Sequence, residues 1–141
     1  MMKKVYENKF VVVYSDATNK YARFNWKEET VTMDDTGFRE VIGFWVSVSP
    51  YACLVDSREF NYTMSLEIQE WLNSEVYPEI YKRGSRKVAM LVPNDLISSI
   101  AVEQLSDLSK QGGTVILQYF SKEADALAWI TSNNAVEVGL I

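Results

Sequence analysis

Asp56 and Ser57 stand side by side at the end of an apolar run, Ala52-Cys53-Leu54-Val55, with Glu59 in the following loop. A carboxylate at the C-terminal end of a buried strand can hold a cation or a polar ligand, because open α/β sheets place ligands there. The same Asp equally suits an Asx turn that bonds its own loop backbone. Asp56 with Glu59 is the loop pair that a carboxylate-and-metal enzyme would use, since such a site needs converging oxygen ligands. Ser65 opens the next periodic segment and suits a helix N-cap. A phosphate at that position would meet free N–H groups and the helix dipole, which makes Ser65 the candidate phospho-acceptor. Phe60, Tyr62, Met64 and Trp71 crowd the same stretch. Exposed together they form an anchor patch for a partner; buried, they close one end of the core.

The rest of the composition narrows the chemistry. The chain has 141 residues and no histidine, so Ser-His-Asp and Cys-His schemes are excluded, along with the commonest general base and metal ligand. Its one cysteine, Cys53, lies inside the apolar run and reads as a small buried hydrophobe. A disulfide within the chain and a cysteine-built zinc site are both impossible. Net charge is -5, which disfavours binding to a phosphate backbone. The basic cluster Lys82, Arg83, Arg86 and Lys87 reads as a solvated helix end and turn. At 48% hydrophobic and 23% charged residues, with no apolar run near the ~20 residues that span a bilayer, the expectation is a cytoplasmic protein without membrane contact. Gly112-Gly113 precedes a strand and opens no helix, so it is no phosphate loop.

These residues need a scaffold, and the hydropathy periods supply one. Residues 9–14 and 21–26 read as two strands around a turn-rich loop, and in the second Ala22, Phe24 and Trp26 form the buried side. Phe38, Val41, Ile42 and Trp45 give one helical stripe behind the acids Asp34 and Asp35, and Ser49-Pro50 ends it. Residues 52–55 read as a strand buried on both faces. A helix capped by Ser65 follows, with Ile68, Trp71, Leu72, Val76 and Ile80 inward, a kink or break between Glu75 and Tyr77 ahead of Pro78, and Gly84 as terminator. Then come a strand at 87–92, a helix through Lys110, a strand at 114–120 and a last helix capped by Ser121. Its expected inner face is Ala124, Leu127, Ala128 and Ile130. The alternation of Val136, Val138 and Leu140 suggests an extra strand that could pair with a second copy. The prediction is one α/β domain over 1–141, with a mixed, mostly parallel five-stranded sheet, an N-terminal antiparallel hairpin and four helices, in the order ββαβαβαβα.

Three segments, "LVDSREFNYTMSLEIQEWL", "VAMLVPNDL" and "YFSKEADALAWI", follow one another in an order that resembles the STAS-like domains, the anti-sigma-factor-antagonist fold, and more closely a group of small bacterial proteins of that superfamily. The resemblance covers most of the chain. It implies a non-catalytic regulatory or protein-binding module with no cofactor, and a partner surface over the loop and helix that carry Asp56, Ser57, Tyr62, Met64, Ser65 and Trp71. It also implies a phospho-acceptor at Ser65, although the chain reads Thr63-Met64-Ser65-Leu66 where the family's switch has an Asp-Ser-Ser-Gly run. A small-ligand or lipid-binding protein is the alternative, by analogy of fold to lipid-transfer domains.

Overall fold

The computed structural model describes residues 2–18, 20–96 and 114–132. Six strands form one sheet in sequential order: β1 (Lys3–Glu7), β2 (Val11–Asp16), β3 (Tyr21–Trp26), β4 (Ala52–Asp56), β5 (Lys87–Leu91) and β6 (Ile116–Phe120). β1, β2 and β3 are antiparallel neighbours, whereas β3 to β6 all run parallel. The predicted α/β class and mixed sheet hold. The five-strand count does not, because β1 adds a strand ahead of the hairpin. Its pattern gave no signal: Lys3, Lys4, Val5 and Glu7 are exposed and only Tyr6 is partly covered, by stacking on Phe44 at 4.2 Å. A register shift between Lys4 and Tyr6 and this charge both protect the edge from further pairing.

Three helices flank the sheet among the described residues. α1 (Asp35–Val48) starts where the Asp34 side chain accepts a hydrogen bond from Gly37 N at 2.8 Å. It buries the expected stripe of Phe38, Val41, Ile42 and Trp45 and stops at Ser49 in a left-handed conformation. α2 (66–82) begins at Ser65, whose Oγ accepts from Ile68 N at 3.2 Å. Ile68, Leu72, Val76 and Ile80 are its buried side, while Trp71 is half-exposed. The helix does not break between Glu75 and Tyr77, ahead of Pro78. It widens into a π-turn, Leu72–Val76, immediately before the α-turns Tyr77–Lys82. A wider turn removes the ring's conflict with the preceding carbonyls and accommodates the missing N–H without ending the helix. Gly84, at φ +120°, ends the segment.

α3 (Glu123–Thr131) differs in two respects from expectation. Lys122, not Ser121, occupies the N-cap, without a side-chain bond. The buried side chains are Ala126 and Ile130, while Ala124 and Ala128 face solvent. The helix predicted through Lys110 and the alternating tail at 133–141 lie outside the described residues.

The strand period of two sorts the side chains into two cores. Ala22, Phe24 and Trp26 of β3, Cys53 and Val55 of β4, Val88 of β5 and Leu117 of β6 meet α1 and α2 on one face. Tyr21, Ala52, Leu54, Ala89 and Leu91 meet Ala126 and Ile130 of α3 on the other. Lys87 belongs to this second face and is buried, so the basic cluster is not uniformly solvated. Its ammonium donates to the carbonyls of Trp129 (2.9 Å) and Ser132, closing the C-terminus of α3 where a cation is favoured. Desolvation lowers its pKa. Arg83 pairs with Glu79 at 2.7 Å, and Arg86 lies over the Tyr81 ring.

Candidate functional site

Asp56 is the last residue of β4 and Ser57 the first beyond it, so the two side chains emerge on opposite faces of the sheet. The adjacent pair that drew attention in the sequence therefore belongs to two separate environments.

Asp56 faces the α3 side, among Arg23 from β3, Arg58 from the loop and Glu123 from the start of α3. Arg23 Nη2 reaches Asp56 Oδ2 at 3.1 Å, and Arg23 Nη1 reaches Glu123 Oε2 at 3.0 Å. Arg58 Nη2 reaches Asp56 Oδ2 at 2.7 Å and Glu123 Oε1 at 3.4 Å. Arg58 N also donates to Asp56 Oδ1 at 3.2 Å, which is the Asx-type turn considered above. Burial opposes ionisation of Asp56, but the Arg58 hydrogen bonds and the charges of Arg58 and Arg23 outweigh it and hold the carboxyl below its ordinary range. The Arg23 hydrogen bond does the same for Glu123. Two acids and two arginines leave this cluster neutral and internally satisfied. Glu59 is exposed and acts on the cluster only through the effect of its charge on Arg58. No group of three or more acids or cysteines that could hold a metal occurs among the described residues.

Ser57 faces the other way. Its backbone N–H donates to Leu91 O at 2.8 Å and extends the β4–β5 ladder by one step. Its hydroxyl is shut off from solvent and has no hydrogen-bond partner among the described residues. It lines a cavity of about 240 Å³ at the C-terminal ends of β4, β5 and β6, between the sheet and the two helices α1 and α2. Seven of its lining residues are aromatic: Phe24, Trp26, Phe38, Trp45, Phe60, Tyr77 and Tyr119. No charged side chain lines it among the described residues. A second buried polar atom without a partner among the described residues, Trp45 Nε1, belongs to the same lining.

Local structure explains why the loop after β4 roofs this space. Thr30, fully buried in the 3₁₀ turn Glu28–Thr32, donates to Lys27 O and accepts from Asn61 N, both at 2.8 Å. Phe60 N bonds Ser57 O at 3.1 Å. These ties seat the Phe60 ring 4.9 Å from Trp26 and set Tyr62 against Phe38 at 5.0 Å, stacked. The Tyr62 hydroxyl donates to Asp35, and burial together with that carboxylate pushes its pKa up to about 12.

The six sequence-derived candidates thus separate. Ser57 and Met64 line the cavity, Tyr62 braces the loop, Asp56 holds the charge cluster on the far face, and Ser65 caps α2. Trp71 packs on the core with Arg39 4.5 Å above its ring. Phe60, Tyr62, Met64 and Trp71 are partly buried against the core, closing its end. Trp45 and Tyr119 were read only as helix stripe and strand. Their shared cavity depends on crossovers that bring β6 within reach of α1, and no local spacing signals that. Tyr77 of α2 lines the cavity as well, whereas Tyr81, one turn further on, does not.

Comparison with known proteins found no matching family model, no matching curated protein and no matching solved structure. Among the described residues, no helix is long and apolar enough to cross a membrane.

Proposed function

We propose that the chain is a non-catalytic binding module of STAS-like kind that takes a small, largely apolar molecule into the aromatic cavity. The cavity carries this reading. An apolar hollow with a few convergent polar groups, at the C-terminal ends of parallel strands, is the usual form of a ligand site in an α/β sheet. The mixed sheet, with its parallel βαβ half, supports the kinship.

Volume selects among ligands. At about 240 Å³ the cavity falls below the ~300–1,000 Å³ of drug-sized sites, and a two-chain lipid does not fit. An apolar cavity of about 150 Å³ admits benzene, so a ring with a short substituent is the matching size. The carboxylate-and-metal alternative loses its basis because Asp56 is saturated by two arginines on the opposite face. The reading of a protein partner at the loop draws less support, since its large side chains already pack on the core.

Urea unfolding at fixed temperature with α-methylstyrene as probe tests the reading. A ligand that binds only the folded chain stabilises it by about 2.7 kcal/mol at a hundredfold excess over Kd. The midpoint is expected to rise with probe concentration. A midpoint unchanged up to the probe's solubility limit contradicts the proposal.

A further inference from the structure

The cavity wall is apolar in area but carries two buried hydrogen-bonding groups that nothing satisfies among the described residues, with two phenols on the same wall. Trp45 Nε1 and Ser57 Oγ are buried without partners among the described residues. Tyr77 and Tyr119 also line the cavity, and neither phenol has a hydrogen-bond partner among the described residues. Their hydroxyls lie close enough for the charge on one to oppose ionisation of the other at Tyr77. Burial raises the pKa of both, so both stay protonated donors at neutral pH.

Orphaned groups of this kind are uncommon in a folded chain, because each costs the desolvation of an unpaired dipole. Two around one hollow, beside two phenols, are better explained by a ligand than by chance. The indole N–H can only donate, and hydroxyls can donate or accept. The missing partner is therefore an acceptor. It is also uncharged: with no cation in the described lining, an anion would be desolvated without compensation.

We infer that the ligand is a neutral ring compound bearing a carbonyl-type oxygen, held by the hydroxyls of Ser57, Tyr77 and Tyr119 and by the indole N–H of Trp45. This rests on the binding reading above. The ring occupies the aromatic space framed by Phe24, Trp26 and Phe38. The oxygen meets the donors. Ser57 needs only a rotation about χ1 between staggered wells to present its hydroxyl.

The test is calorimetric titration of three probes into the intact chain: acetophenone, α-methylstyrene and benzoate. α-Methylstyrene has the shape of acetophenone with CH₂ in place of the oxygen, and benzoate adds the charge. The titrations are repeated on Ser57→Ala and Tyr119→Phe, each a deletion of one oxygen, with circular dichroism confirming the fold. If either variant does not fold, the other carries the comparison. Each substitution is expected to weaken acetophenone about 5-fold and the pair about 20-fold, the scale of lost neutral hydrogen bonds, while α-methylstyrene changes by less than about 2-fold. Benzoate is expected to bind more weakly than acetophenone. If α-methylstyrene binds but acetophenone is indifferent to both substitutions, or benzoate binds more tightly than acetophenone, the inference about the ligand's oxygen is overturned while the cavity reading stands. If none of the three binds, the cavity reading itself falls and takes the inference with it.

Discussion

Replacing Asp56 by Ala separates a structural carboxylate from a ligand-binding one. Its side chain is 13% exposed and accepts from two arginines. The Arg58 pair is 45% exposed on the arginine side, and such pairs contribute at most about 1 kcal/mol. Arg23 is 16% exposed, and removing one partner of a fully buried pair costs about 3–5 kcal/mol. Arg23 nevertheless keeps Glu123 at 3.0 Å and Asn25 Oδ1 at 2.7 Å, so only part of that cost is incurred. The expected destabilisation is about 2 kcal/mol, or roughly 1 M in the urea midpoint with an unchanged slope.

The same cluster sets a pH dependence. Both Asp56 and Glu123 have folded pKa values below their unfolded ones. Their contribution is therefore fully present above the ordinary carboxylate range and is lost as pH falls through the depressed folded values. Stability of the native chain should hold steady above about pH 5 and decline below it. In Asp56→Ala that acid decline should be shallower. A loss below about 0.5 kcal/mol, or an acid limb identical to the native one, would show that the cluster does not hold the loop and would refute the assignment of Asp56 to structure.

Three further outcomes follow from the geometry. Ser57→Ala removes a buried hydroxyl that has no partner among the described residues, so the ligand-free chain should gain about 1 kcal/mol by urea unfolding; a loss would mean that the hydroxyl is bonded. Ser65→Ala should cost about 1 kcal/mol through the lost cap of α2, whereas Ser65→Asp, which can still accept from Ile68 N, should stay within about 0.5 kcal/mol of native; equal losses in the two would contradict the capping role. Cys53 is fully buried and its pKa is raised by that burial, so Ellman's reagent should modify it only at the rate of unfolding, and prompt reaction in the native chain would contradict the packing of β4.

Periodicity made much of the scaffold legible. Phe38, Val41, Ile42 and Trp45 declared α1, and the unbroken apolar runs around Cys53 and Val88 declared β4 and β5, because burial on one stripe or on both faces leaves a pattern in the chain itself. β1 left none, since an edge strand in which only Tyr6 is partly covered can be built largely from lysine and glutamate. Pro78 signals a conflict in the helix, but where a kink or break is expected between Glu75 and Tyr77 a π-turn over Leu72–Val76 accommodates it. The site was harder. Period two already implied that Asp56 and Ser57 diverge, yet their partners, Arg23 and Glu123 for one and Trp45, Tyr77 and Tyr119 for the other, come from strands and helices up to 67 residues from Asp56 in sequence. Only the parallel crossovers bring them together.

The cavity is tested most directly by the indole N–H signals of the four tryptophans in a ¹H–¹⁵N spectrum during titration with α-methylstyrene. Trp26 and Trp45 line the cavity, Trp71 packs outside it under Arg39, and Trp129 lies tilted against Phe120 across the sheet. The account requires saturable shifts at Trp26 and Trp45, with Trp129 unmoved. Shifts led by Trp129, or no shift at any indole while the probe stays in solution, would contradict it.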